Sequence, residues 1–288
     1  MIIIFIFDIN MKYIGAHIKK ETTVLKTLQV LHNSGGNALQ IFVSNPRSVQ
    51  NGNIEKYKEE SMDIIKFCQQ NDMKIVIHAP YTINLAKQTK EGKRDIELQD
   101  CYWIRLLINN LEISDIIQAI GVVFHVGKYT TFSIEESIEN MFNALKYIIK
   151  IMKKNNMKSK LIIETPAGAG TEMFVNDMEF IQFYNRFSCD EKNYLKICLD
   201  TAHIWSSGQD INTYYTKMKD NIQNVSVIHF NNSKKDMGSK VDVHETIFEG
   251  KIEKDTMKTF AKSLKYDPVI ILEKPSNTLH KEISWIKK

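Results

Sequence analysis

Cysteine, proline and glycine are scarce in this chain: four, five and twelve residues among 288. Cys68, Cys101, Cys189 and Cys198 form no Cys-x-x-Cys pair, which argues against a disulfide framework or a thiolate metal knuckle and for free thiols in a reducing compartment. No Gly/Ser- or Pro-rich stretch divides the sequence, and no repeat or low-complexity tract interrupts it, so one domain is expected over residues 11–288. Long apolar runs are missing as well. The opening Met1–Phe7 is too short to cross a bilayer and lacks a basic n-region and a small-residue cleavage site. Residues 1–10 are therefore expected as an extension ahead of Met11. Neither sign of charge dominates. The 38 Lys and Arg against 34 Asp and Glu leave +4, which permits a polyanionic partner through a local patch without demanding one. No Gly-x-Gly-x-x-Gly fingerprint and no nucleophile elbow is present, which disfavours nucleotide-cofactor redox chemistry and covalent acyl transfer.

What the chain does contain is a recurrent apolar run. Eight are found, at Tyr13–His17, Ala38–Phe42, Lys74–His78, Val122–His125, Leu161–Glu164, Leu195–Asp200, Val225–His229 and Val269–Glu273. A parallel strand covered by helices on both faces reads in this way. Helical patterns lie between the runs, over residues 21–34, 54–70, 94–119, 133–156, 176–187, 211–222, 253–265 and 277–287. Gly35-Gly36 closes the first, and Ser133 with Glu136 opens the fourth as a capping box. Eight strand–helix units predict an α/β fold of the (β/α)8 TIM-barrel type, which takes roughly 250 residues and builds its site at the C-terminal face of the strands. Two loops on that face are long and polar, Pro166–Thr171 and Asn231–Gly250.

The polar residues at the strand ends are metal-ligand types. His78, His125, Glu164, Asp200, His229 and Glu273 close strands, and His203, Asp242 and His244 follow in loops. Each has an ordinary alternative: a packed histidine, a helix N-cap at Asp200, a salt bridge from Glu273 to Lys274. Nine such coincidences on one rim are far less economical than a polynuclear centre. One ion cannot use nine ligands; two or three can, particularly with a bridging carboxylate such as Glu164. Mixed imidazole and carboxylate suits zinc, with manganese or iron as substitutes, better than magnesium. Paired ions of this kind serve phosphodiester hydrolysis.

In these residues the chain resembles the endonuclease IV family of apurinic/apyrimidinic endonucleases. The matching stretches run from Tyr13-Ile-Gly-Ala-His17 through Gln40–Arg47, His78–Ala86, Phe124–Gly127 and Ile163–Gly170. They continue through Cys198–His203, His229–Lys234, Gly238–Glu245, Gly250–Ile252 and Leu272-Glu273. The resemblance implies three zinc ions. His78 and His125 would hold the first, with Glu164 bridging to a second completed by Asp200, His229 and Glu273. His203, Asp242 and His244 would hold the third. Glu164 and Glu273 would be the catalytic carboxylates. Cleavage 5′ to an abasic deoxyribose would leave a 3′-hydroxyl and a 5′ deoxyribose phosphate, as in base excision repair, and 3′-end trimming is a related activity. Arg47, Tyr81 and Thr82 match the positions that penetrate DNA, and Gln40, Asn231 and Lys234 complete the expected DNA contacts. The expected partner is damaged duplex DNA and no membrane. DNA must reach an open barrel mouth, so a monomer is expected. The expected setting is intracellular: cytoplasm, nucleus or a viral factory according to source.

The chain departs from the family at Asn232 and Val243, where Asp and Arg are usual, at the smaller Thr82, and at Lys19 and Lys20, where small residues are usual. These changes bear on DNA affinity rather than on the ligands. The alternatives are an ultraviolet-damage-type endonuclease, a metal-dependent sugar isomerase or epimerase on the same barrel, and a silent DNA-binding protein that keeps zinc for structure. The excess of histidine disfavours the sugar enzymes, and nine intact ligands disfavour the silent protein.

Overall fold

Alternation along a strand decides which side chains enter a barrel and which face its helices. Ala38, Val76, Val123, Ile162, Cys198, Val227, Val269 and Ile271 form one interior cluster, separate from the larger core between barrel wall and helices. The structure is a computed structural model, and it describes residues 11–87, 90–91, 94–95, 97–274 and 279–288. The expected extension over residues 1–10 lies outside the described residues.

Eight parallel strands close the barrel: β1 (Ile14–His17), β2 (Ala38–Ile41), β3 (Lys74–His78), β4 (Gly121–His125), β5 (Lys160–Glu164), β6 (Leu195–Asp200), β7 (Val225–His229) and β8 (Val269–Leu272). Each pairs with its sequence neighbour, and β1 closes on β8 with Ile14 opposite Ile270 and Gly15 opposite Ile271. Gly15 is required where β1 meets β2, since a Cβ there would stand 1.8 Å from the Ala38 carbonyl oxygen. The helices are α1 (Val24–Asn33), α2 (Ile54–Gln70), α3 (Tyr102–Ile116), α4 (Ile134–Lys154), α5 (Asp177–Tyr184), α6 (Thr201–Ser206), α7 (Ile211–Lys217), α8 (Lys254–Ser263) and α9 (Leu279–Lys287). The capping box at the head of α4 is formed, with Ser133 and Glu136 exchanging side-chain to backbone hydrogen bonds.

One expected helix is shorter than its pattern. Of residues 94–119 only Tyr102–Ile116 is α-helical; Arg94–Asp95 pairs with Lys90–Glu91 in a two-stranded sheet, and Leu98–Asp100 is a 3-10 turn. The apolar face of Trp103, Leu106, Leu107 and Leu111 begins only at that boundary. Among the described residues no helix is long and apolar enough to cross a membrane.

Candidate metal centre

Two residues beyond the interior layer, on the same inward parity, stand the polar strand ends. Ala38 is followed by Gln40, Val76 by His78, Val123 by His125, Ile162 by Glu164, Cys198 by Asp200, Val227 by His229 and Ile271 by Glu273. One step along each strand thus turns an apolar plug into a ring of ligands facing the mouth. The short α6 brings in His203, and Asp200 caps it, its carboxylate accepting from the His203 N–H at 2.8 Å. Asp200 is therefore both an N-cap and a site residue. Asp242 and His244 come from the Asn231–Gly250 loop, where Asn232–Ser233 pairs antiparallel with His244–Glu245. Asn232 anchors this loop: buried, it donates to the Ile247 and Ile252 carbonyls and accepts from the Ser233 and Ile252 amides. Gly250 leaves room for that amide, since a Cβ would lie 2.1 Å from Asn232 Cγ.

All nine expected ligands converge. Ligand atoms of His78, His125 and Glu164 lie within 4.8 Å of one another, as do those of Glu164, Asp200, His229 and Glu273, and those of Asp200, His203 and His244. Glu164 belongs to the first two of these groups and faces both. Its Oε2 is 3.6 Å from His78 Nε2 and 3.4 Å from His125 Nε2, and its Oε1 is 2.7 Å from His229 Nδ1. Asp242 lies 3.2 Å from His203 Nε2 and 3.0 Å from His244 Nε2. The imidazoles are oriented from behind. His78 Nδ1 is 2.8 Å from the Ala79 carbonyl, and His203 Nδ1 is 2.8 Å from that of Thr165, which fixes these nitrogens as donors and leaves each Nε2 lone pair directed inward. Glu164 Oε2, His203 Nε2 and His244 Nε2 are buried without a hydrogen-bond partner among the described residues. Buried polar atoms left this way are costly unless something else satisfies them, and here each points at other ligand atoms. The donor set and these atoms fit divalent cations.

The electrostatics agree. Burial would raise the Glu164 carboxyl, but His229 and His125 outweigh it and hold the group well below the usual range. Burial likewise opposes protonation of His203, yet Asp200 and Asp242 drive it well above a free imidazole, and they raise His244 to about 9. Burial dominates at Asp200 and raises it. Without ions, four carboxylates share protons with the imidazoles around them; bound cations would take the place of those protons.

Two expected DNA contacts are corrected. Gln40 is 0% exposed and held on every side: its Oε1 accepts from His229 Nε2 at 2.8 Å, and its Nε2 donates to Glu273 at 2.8 Å and to His17 Nδ1 at 3.1 Å. Asn231 is also buried; its Nδ2 donates to Asp200 and Glu273 and its Oδ1 accepts from the Glu273 N–H. Both amides position ligands, because no face of either reaches solvent. Arg47, Tyr81 and Lys234 are exposed, Tyr81 at 59%. The Tyr81 N–H donates to the Pro46 carbonyl, and its ring packs edge-on to Phe42 and His125. Thr82 is half-buried, and its hydroxyl donates to the Ser48 carbonyl, so it braces the Arg47 loop more than it protrudes.

Sequence reasoning left His17, Cys198 and Thr165 without a role. His17 Nδ1 lies 3.5 Å from Glu273 Oε1, Cys198 forms a close group with Glu164 and His229, and the Thr165 hydroxyl accepts from the Asp200 N–H. The signal was available for the first two, since both sit on the inward parity of their strands.

The Xylose isomerase-like TIM barrel family model matches residues 28–288. A probable endonuclease 4 of Mycoplasmopsis agalactiae is 31% identical over 272 residues, spanning 91% of both chains. In structure, the chain is similar to endonuclease IV from Thermus thermophilus, with a TM-score of 0.71, 23% identity and coverage of 96% of this chain and 99% of that one. It is similarly close to a D-tagatose 3-epimerase-like protein, with a TM-score of 0.72, 17% identity and coverage of 96% of each. At those identities the two structures speak for the fold alone. The chain belongs to the xylose isomerase-like TIM-barrel family and, by its relatives over nearly its whole length, to the endonuclease IV group within it.

Proposed function

We propose that the protein is a zinc-dependent endonuclease of base excision repair that hydrolyses the phosphodiester 5′ to an abasic site, leaving a 3′-hydroxyl and a 5′ deoxyribose phosphate. The observation that carries this reading is the convergence of nine imidazole and carboxylate groups, some of their buried ligand atoms without a hydrogen bond among the described residues, at an open barrel mouth. His78, His125 and Glu164 would hold one ion; Glu164, Asp200, His229 and Glu273 a second; His203, Asp242 and His244 a third. Such ions, when bound, activate water at neutral pH and offset charge on the attacking and leaving oxygens. Manganese or iron would fit the same donors.

The rest falls to the chain itself. Gln40 holds His229 by its Nε2–H, so Nδ1 faces Glu164, Asp200 and Glu273. Asn231 spans Asp200 and Glu273 and fixes the distance between the two carboxylates. Arg47 offers a guanidinium to the phosphate backbone, Tyr81 a ring to the gap left by the missing base, and Lys234 a second cation at the rim. An abasic nucleotide enters the mouth most readily because no base has to be unstacked. The protein would act as a monomer on damaged duplex inside the cell.

A substrate panel tests the reading. Zinc-loaded protein is expected to nick an abasic-site duplex in preference to intact and ultraviolet-irradiated duplexes, and to leave ketoses untouched. Preference for the irradiated duplex would make it the ultraviolet-damage type. Epimerisation of a ketose without nicking would place it with the sugar enzymes that share its barrel.

A further inference from the structure

Beside the metal centre, between the loops that follow β1 and β2, lies a cleft of about 560 Å³. We propose that this cleft binds a backbone phosphodiester of the nucleic acid flanking the cleavage site, with Lys20 as its counter-ion and Ser44 as a hydroxyl donor. The inference rests on the endonuclease reading and adds to it a contact that lies outside the metal ligands.

Several features of the cleft call for an anion. Its lining contains Lys19, Lys20 and amides from Asn45, Gln50, Asn51 and Asn53, and among the described residues no carboxylate. Lys20 is half-buried, yet among the described residues its amine hydrogen-bonds only the Tyr57 hydroxyl, at 2.6 Å. Glu60, whose charge reaches it, is engaged elsewhere, accepting from the Val24 N–H and pairing with Lys56. Ser44 Oγ is buried in the same cleft with no hydrogen-bond partner among the described residues. The head of α2, a helix of 17 residues capped by Asn53, opens on it and adds the positive end of its dipole.

The walls are set in advance. The Tyr57 hydroxyl that receives Lys20 donates to the Val43 carbonyl at 2.9 Å. Gly52 exchanges two hydrogen bonds with the Asn109 side chain, of 2.7 and 3.2 Å. The cleft is also contiguous with the mouth, because His17 lines it while lying 3.5 Å from Glu273. A strand whose scissile phosphate sits among the ligands would run its neighbouring phosphates past this opening. A half-buried, unneutralised lysine with a free hydroxyl is what a singly charged diester would satisfy.

The test is the salt dependence of duplex binding by zinc-loaded protein, measured by anisotropy on an abasic-analogue duplex between about 50 and 200 mM salt. Each phosphate contact contributes about 0.9 to the slope of log affinity against log salt. Lys20→Met, which keeps the apolar stem, is expected to lower the slope by about 0.9, so that wild type loses about 3.5-fold more affinity than the variant over that range. Lys20→Arg should restore the wild-type slope. Ser44→Ala should weaken binding without changing the slope, since it removes no charge. A wild-type slope in Lys20→Met overturns the proposal. Incision by wild type is scored in parallel: a wild type that neither binds nor cuts the duplex overturns the endonuclease reading, and the cleft proposal with it. A wild type that cuts while Lys20→Met keeps its slope overturns the cleft alone.

Discussion

Replacing Gln40 by leucine separates two accounts of the same residue. As a surface contact it would touch DNA; as placed, it holds His229 through its carbonyl and Glu273 through its amide, each at 2.8 Å. Leucine fills a similar volume but makes neither bond. His229 Nε2–H then loses its acceptor at a position with 0% exposure, a penalty of about 1–3 kcal/mol for a stranded buried donor. The imidazole is also freed to turn away from Glu164, Asp200 and Glu273. Loss of such a supporting bond typically weakens metal affinity by about 10- to 100-fold, equivalent to roughly 1.4–2.7 kcal/mol. The assay is residual metal content after equilibration against graded chelator, together with duplex affinity at saturating zinc. Gln40→Leu should shed metal at about 10- to 100-fold lower chelator strength, while duplex binding at saturating zinc stays close to wild type. Unchanged metal retention with weakened duplex binding would refute the reasoning and return Gln40 to the DNA interface.

Further predictions follow from the same geometry. Glu164→Gln removes the carboxylate that faces two ligand groups at once; metal analysis should show more than one ion lost per chain, with turnover lost along with the ions, and near-normal turnover would end the shared-ligand assignment. Arg47→Ala and Tyr81→Ala, at exposed positions, should both weaken duplex affinity, and Arg47→Ala should leave metal content intact, as read by anisotropy and metal analysis. The ion-free protein should lose stability as pH rises. His244 is raised to about 9 in the fold against about 6.5 unfolded, so its contribution is complete below about pH 6.5 and disappears as pH passes 9. Melting curves in chelator should show the midpoint falling across that window, and a rising midpoint would contradict the placement of Asp200 and Asp242 around this ring.

Where sequence and structure agree, the reason is periodicity. A strand that must be apolar on both faces, ending in a ligand type, leaves a mark that survives without any contact information, and His78, His125, Glu164, Asp200, His229 and Glu273 all carry it. Asp242 and His244 carry no such mark; their residue types in a polar loop made them candidates, but their place depends on the pairing of Asn232–Ser233 with His244–Glu245. Gln40 and Asn231 were misread for a physical reason. A carboxamide is as suitable for a phosphate as for a buried ligand, and only burial distinguishes the two uses. For Gln40 the distinction was in reach, since it shares the inward parity of Ala38. For Asn231, beyond the end of β7, it was not. The false start of α3 reflects a different limit, because charged residues continue a helical pattern without opposing it.

The most direct test of the account is incision of a duplex carrying one tetrahydrofuran abasic analogue by zinc-loaded protein, with both product ends identified. The account predicts a single nick on the 5′ side of the analogue, a 3′-hydroxyl on one fragment, and loss of cleavage on chelation. Because the analogue cannot undergo β-elimination, such a product requires hydrolysis. An intact duplex after incubation with metal-replete protein would contradict the account.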